Sequence, residues 1–128
     1  MFMKIEKQWL SFSQAILNLE KALSESKNEF IRDSVIKRFE LAYETTWKLL
    51  QSLAREQGLE VSSPRQAFQT AFKLGWITDE TLWFEMIATR NIAVHTYSND
   101  MAEAVYEKVK LYVTGLIALK SKLSDLLD

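Results

Sequence analysis

The chain has no cysteine, one proline, three glycines and a single histidine, His95. Without thiols it can form neither disulfide bonds nor thiolate metal sites, and one imidazole is too few for a zinc or iron centre. Because Gly58, Gly75 and Gly115 are isolated from one another, the sequence holds no glycine-rich phosphate loop. No nucleophile-elbow motif supports a serine hydrolase built on His95. We therefore expect no metal and no cofactor.

The sequence also lacks a long apolar run and a large excess of charge of one sign. Its longest apolar stretch, residues 111–119, includes Thr114 and Gly115 and is too short to cross a bilayer. A charged amphipathic helix begins at the N-terminus, so we expect no secretory signal and a cytoplasmic protein. The net charge is −1 with acids and bases interspersed, which argues against a basic face for general nucleic-acid binding.

What the sequence does contain is enough apolar material for one hydrophobic core. Of the 128 residues, 48% are hydrophobic and 12% aromatic, which argues against intrinsic disorder. No linker, internal repeat or low-complexity segment divides the chain, so residues 1–128 are predicted to form a single domain. Much of the core volume is expected from four tryptophans: Trp9, Trp47, Trp76 and Trp83.

Hydrophobic periodicity and capping signals predict five helices and no strands. The clearest start is Ser63-Pro64, where an N-cap serine precedes proline and stands at capping-box spacing from Gln66. Gly58 is a typical left-handed residue after a helix end. No hairpin turn or alternation of period two appears, so the fold class is all-α. The predicted helices run from about Lys4 to Ser24, from Asn28 to Gln57, from Ser63 to Gly75, from Thr78-Asp79-Glu80 towards Tyr97, and onward from Ser98-Asn99-Asp100.

Two of these helices have informative apolar faces. The arc on the second helix spans about 160°, which predicts a central helix packed between at least two others. Gly115 interrupts the fifth helix at a cost of about 1 kcal/mol relative to alanine, which suggests that a neighbouring helix approaches closely there. The fifth helix carries an apolar stripe suited to bundle packing or to a dimer seam, made of Val105, Val109, Tyr112, Leu116, Leu119, Leu123 and Leu126.

The fourth helix places an arginine inside its apolar face. With Trp83 at the centre of that face, Ala93 and Val94 fall around it and Arg90 lies in the same stripe. An unpaired cation is too costly in a dry core, so Arg90 must meet an acid or face a cleft or subunit interface. Glu40, on the second helix, is the predicted partner. The pair Glu40 and Glu44 is otherwise interpreted as a solvated helix face.

The remaining polar residues of this segment point elsewhere. In a regular helix Asn91 and His95 share a flank about 100° or more from Arg90, whereas Tyr97 returns towards the direction of Arg90. This geometry argues against a self-contained site of Arg90 and His95 within one chain. A composite site, in which a second protomer supplies the missing member, is compatible with this geometry. On composition alone, a purely structural role is favoured over catalysis.

Arg90-Asn91-x-x-x-His95-x-Tyr97 resembles the Arg-x4-His-x-Tyr signature of HEPN-domain proteins. The rest of the chain resembles the branch called nucleotidyltransferase substrate-binding proteins, which are encoded beside minimal nucleotidyltransferases. The match spans the second helix to the start of the fifth. Its supporting residues are Arg38-Phe39-Glu40, Tyr43-Glu44, Trp47-Lys48, Ser63-Pro64-Arg65, Ala71-Phe72 and Gly75.

The resemblance implies a five-helix up-and-down antiparallel bundle that forms a homodimer and belongs to a two-gene toxin–antitoxin module. In the toxin interpretation, Arg90 and His95 from two protomers cleave RNA without a metal. His95 acts as general acid or base, and Arg90 and Asn91 bind the scissile phosphate. Tyr97 is the acceptor onto which the partner enzyme transfers AMP. Separately from the resemblance, the predicted pairing with Arg90 makes Glu40 a candidate supporting acid.

Three interpretations of the function stay open at this point. The chain is either a ribonuclease toxin or a non-catalytic subunit that binds substrate for its nucleotidyltransferase, as the older family name states. The acidic isoelectric point favours the subunit slightly, and the intact Arg90, His95 and Tyr97 favour the toxin. The third interpretation is a dimeric interaction module in which the motif is only structural.

Overall fold

The computed structural model describes residues 2–95 and 98–127, and in this part of the chain it is a bundle of five α-helices without strands. The predicted all-α class is confirmed. No helix among these residues is both long and apolar enough to span a membrane. The helices are α1 (Phe2–Ser24), α2 (Glu29–Glu56), α3 (Pro64–Lys73), α4 (Glu80–Ala93) and α5 (Asn99–Leu127).

Helix α2 is the centre of the bundle, as its wide apolar arc predicts. It contacts α1, α3, α4 and α5. A helix enclosed by four neighbours buries apolar side chains on more than one side, which its residues do. Its buried apolar side chains include Val35, Ile36, Phe39, Ala42, Tyr43, Leu49, Leu50 and Leu53.

Capping interactions place the helix ends where the sequence signals them. The Asn28 side chain accepts a hydrogen bond from the Ile31 N–H at 2.8 Å, and the Ser63 hydroxyl accepts one from the Gln66 N–H at 3.2 Å. The return bond differs from the predicted capping box, because the side-chain oxygen Oε1 of Gln66 accepts from the backbone N–H of Ser62, and not of Ser63, at 2.8 Å. Gly58 follows α2 with φ of +79°, the left-handed conformation that glycine adopts without strain.

The end of α4 is shorter than a regular continuation predicts. The helix ends at Ala93, and Val94 and His95 lie in a turn. Trp83 and Ala93 are buried as expected, but Val94 is exposed, so the prediction that it packs around Trp83 is wrong. Val94 is the C-cap of α4 and keeps helical φ and ψ of −69° and −12°, so it is exposed because of its place at the very end of the helix and not because its backbone changes direction. The Ser98 hydroxyl then caps α5 by accepting from the Met101 N–H at 3.2 Å, as predicted.

Gly115 marks a place where α5 and α4 approach closely, which confirms the interpretation of this glycine. A Cβ at this position would lie 2.8 Å from Cδ2 of Leu82 and 3.7 Å from the Met86 methyl. The stripe of α5 is buried from Val105 to Leu123, whereas Leu126 is exposed where it borders an open cavity of about 740 Å³. The close contact fixes α4, and with it Arg90, against the core.

We expect Gly115→Leu to lower the free energy of unfolding by about 2–3 kcal/mol, because the side chain must be forced between α5 and α4. Gly115→Ala should change it by less than about 1 kcal/mol, since the gain in helix propensity offsets the displacement of Leu82. Urea unfolding measures both values. Thr114→Leu, on the exposed side of the same helix, is the matched control. Equal stability of the two leucine variants would show that the helices are not in close contact at Gly115.

Candidate active site at the end of α4

Arg90 lies on α4 and faces α2, where it pairs with an acid. One terminal nitrogen of its guanidinium, Nη2, is 3.3 Å from Oε1 of Glu44. The prediction that an acid of α2 meets Arg90 is correct, but the residue is Glu44 and not Glu40. Glu40 lies one helical turn earlier, with its Oε2 4.0 Å from Lys37 Nζ. The sequence places both acids on one flank of α2, and only the level at which α4 crosses α2 selects between them.

Glu44 is itself held by neighbours on its own helix. The indole N–H of Trp47 donates to Oε2 at 3.1 Å, and Lys48 Nζ lies 3.9 Å from the same oxygen. Oε2 of Glu44 thus contacts side chains of α2, and Oε1 contacts Arg90. Glu44 makes these contacts while 35% of its side chain stays exposed, so its interpretation as part of a solvated face holds only in part.

Tyr43 lies beneath the Arg90 guanidinium. The arginine Cζ is 5.9 Å from the centre of the tyrosine ring, within the range of a cation–π contact. Burial raises the pKa of Tyr43 to about 12, although the nearby Arg90 charge opposes the rise. Tyr43 therefore stays protonated at neutral pH and cannot act as a general base. Arg90 Nε is buried on this side and has no acceptor among the described residues.

Asn91 and His95 lie on a different side of the same helix end from Arg90. Both side chains are exposed, whereas Arg90 is only one third exposed and faces α2. His95 follows the helix in a turn, where its backbone N–H donates to the Ile92 carbonyl at 3.0 Å. The predicted divergence of Arg90 from Asn91 and His95 agrees with this placement. Tyr97, the predicted modification acceptor, is outside the described residues.

A second arginine, Arg32, is buried near the motif and was missed by the sequence analysis. Its guanidinium bonds to Asp33 at 3.0 Å, Asn99 at 3.2 Å and Glu103 at 3.4 Å, which ties the start of α2 to the start of α5. The Lys27 ammonium, with help from Arg32, lowers the pKa of the Glu103 carboxyl. The sequence pattern that could have identified Arg32 is the one that identified Arg90, namely an arginine inside the apolar stripe of a helix. Because the acceptors around Arg32 engage three of its nitrogens, it is a structural residue.

A polar cleft of about 310 Å³ lies between the first half of α2 and the junction of α4 with α5. Arg32, Lys37 and Glu40 contribute to one wall, and Ala93 and Ser98 contribute to the other. Glu40 therefore lies close to the end of the motif, although it does not pair with Arg90. Its side chain is one fifth exposed and lines this cleft.

The fold is similar to those of several solved structures. A crystal structure from Thermus thermophilus is 31% identical with a TM-score of 0.81, over 88% of this chain and 98% of that one. The tri-AMPylated HEPN toxin of Shewanella oneidensis, solved in complex with its MNT antitoxin, is 19% identical with a TM-score of 0.75, over 94% and 96%. A Haemophilus influenzae protein with the fold of a nucleotidyltransferase substrate-binding domain is 21% identical with a TM-score of 0.66, over 97% and 99%. No curated protein matches.

The family assignment rests on a match along nearly the whole chain. The family described as nucleotidyltransferase substrate binding protein like matches residues 7–125, which include all of α2, α3 and α4 and the Arg90–His95 segment. The Shewanella and Haemophilus structures share the fold at low identity. The protein therefore belongs to the family of nucleotidyltransferase substrate-binding proteins.

Proposed function

We propose that this protein is the HEPN component of a two-gene module with a minimal nucleotidyltransferase, and that it is a metal-independent endoribonuclease. The observation that carries the proposal is the placement of the motif. Arg90 is paired with α2 and one third of its side chain is exposed, while the Asn91 and His95 side chains are exposed at the same helix end. Each chain thus presents two separate halves of a phosphate-cleaving site, which a second copy completes.

Exposed apolar side chains around the motif support a homodimer formed through this end of α4. Ile92 is 45% exposed, Val94 41% and Met101 38%, and they flank Asn91 and His95. Apolar side chains clustered beside functional groups are typical of interaction surfaces. A twofold axis at this surface brings the two copies of α4 together and places His95 of one chain towards Arg90 of the other. Beyond Met101, the exposed apolar residues of α5 lie farther along the helix, away from the motif.

The chemistry of the proposed site follows from the residue types. The RNA 2′-hydroxyl attacks the adjacent phosphorus, and the bond from phosphorus to the 5′-oxygen breaks. A neutral His95 accepts the proton of the 2′-hydroxyl, and a protonated His95 returns a proton to the leaving 5′-oxygen. Arg90 and Asn91 donate hydrogen bonds to the non-bridging phosphate oxygens as negative charge accumulates on them. The products are a 2′,3′-cyclic phosphate and a 5′-hydroxyl.

Tyr97 supplies the proposed control of this activity. It is two residues from His95 in the motif, so AMP groups transferred to its hydroxyl by the nucleotidyltransferase add bulk and negative charge close to the site. A negatively charged adduct competes with the RNA phosphate for Arg90. The Shewanella oneidensis HEPN toxin was solved in a tri-AMPylated state, which supports this form of control.

A second candidate is a non-catalytic subunit that binds substrate for the nucleotidyltransferase. It is favoured by the family description and by the pairing of Arg90 with Glu44, which offsets the one cation of the motif. In this case Arg90 and Asn91 bind the nucleic acid or nucleotide substrate, and His95 has no role in chemistry.

The purified protein incubated with single-stranded RNA in excess EDTA separates the two functions. We expect cleavage with 2′,3′-cyclic phosphate ends, detected by mass spectrometry, and growth arrest when the protein is expressed alone. Preincubation with the partner nucleotidyltransferase and ATP should abolish cleavage and add AMP to Tyr97, while Tyr97→Phe should escape this inhibition. Intact RNA together with normal growth would support the substrate-binding subunit and contradict the ribonuclease.

A further inference from the structure

Glu44, the acid that pairs with Arg90, also accepts a hydrogen bond from a side chain of its own helix, which distinguishes it from an ordinary surface partner. The Trp47 indole N–H donates to Glu44 Oε2, and this bond leaves Oε1 directed at Arg90 Nη2. Trp47 packs against the hydrophobic core, so the position of the carboxylate is linked to the packing of α2. Glu44 is therefore a fixed acceptor.

The contacts of Arg90 determine which of its donors are left for a ligand. An arginine has five N–H groups in a rigid planar fork. Glu44 pairs with Nη2, Cζ lies over the Tyr43 ring at 5.9 Å from its centre, and Nε is buried. The exposed third of the side chain is what a phosphate can reach. With one edge fixed, the plane of the fork is set before the ligand arrives.

We propose that Glu44 is a positioning residue that holds the Arg90 guanidinium in the orientation required to bind a phosphate group of RNA. The inference rests on the proposed function in taking RNA as the ligand. An arginine that is already ordered loses less conformational freedom on binding, so its affinity for phosphate is higher. Trp47 acts indirectly, because its hydrogen bond orients Glu44.

Removal of Glu44 should change the affinity for RNA in opposite directions if Glu44 positions Arg90 and if it acts only through its charge. Removing a carboxylate near bound RNA should strengthen binding, because one repulsive charge is lost. A positioning role predicts the opposite for Glu44, namely weaker binding despite the loss of a negative charge. Glu40 is the matched control, since it lies one turn away on the same helix, pairs with Lys37 and not with Arg90, and has no role in the proposed site.

The test measures binding of a fluorescein-labelled 2′-O-methyl oligoribonucleotide, which lacks the nucleophile and cannot be cleaved by the proposed mechanism. Fluorescence anisotropy gives the Kd for wild type, Glu44→Ala, Arg90→Ala, the double variant and Glu40→Ala. We expect Glu44→Ala to weaken binding about tenfold and to add no loss in the Arg90→Ala background. Glu40→Ala should bind as tightly as wild type or more tightly.

Three results would overturn the positioning role. They are tighter binding by Glu44→Ala, an equal loss from Glu44→Ala with and without Arg90, and no binding by wild type. Thermal melts accompany each variant, and Glu44→Gln replaces Glu44→Ala if the alanine variant does not fold. Glutamine keeps an acceptor for Trp47 and should give an intermediate Kd. Cleavage of ordinary RNA by the same wild-type preparation is scored separately, so binding without cleavage contradicts the ribonuclease and leaves the role of Glu44 intact.

Discussion

His95→Ala should lower the rate of RNA cleavage by about 10²- to 10⁴-fold, the range that removal of a general acid–base residue produces. The fold should be retained, because His95 is exposed and lies beyond the end of α4, outside the hydrophobic core. Cleavage of a short oligoribonucleotide under single-turnover conditions gives the rate. A thermal melt of the same preparation gives the stability.

Arg90→Lys is the companion variant and should lower the rate by about 10²- to 10³-fold. Lysine keeps the charge opposite Glu44 but lacks the planar fork, so the phosphate loses paired hydrogen bonds. A structural role for the motif predicts the reverse pattern, with lower thermal stability and unchanged cleavage. Wild-type rates in both variants would remove Arg90 and His95 from the catalytic mechanism.

Local signals in the sequence were sufficient for the helices of this fold. Asn28 and Ser63 cap helices through bonds to residues within one turn, so the necessary information lies in adjacent positions. The wide apolar arc of α2 likewise predicts a helix with many neighbours. The end of α4 was harder, because the pattern around Val94 continues where the helix stops. A helix end in a long periodic segment depends on tertiary packing as well as on capping residues.

The candidate site was only partly predictable for a related reason. Periodicity identified Arg90 as a cation in an apolar face, and electrostatics required a partner. The choice of Glu44 over Glu40 depends on how α4 crosses α2, which no spacing within one helix contains. The same signal applied to Arg32, whose hydrogen bonds to Asp33, Asn99 and Glu103 make it structural. A buried arginine therefore becomes a functional candidate only once its partners are counted.

Mixing Arg90→Ala chains with His95→Ala chains tests the shared site most directly. Each variant alone should be inactive, because every composite site in its dimers lacks one member. After co-refolding at equal amounts, about half of the dimers are mixed, and each mixed dimer carries one intact site of two. The predicted result is recovery of up to about a quarter of wild-type cleavage. Mixed dimers that form, as shown by native mass spectrometry, but recover no cleavage would contradict a site shared between two chains.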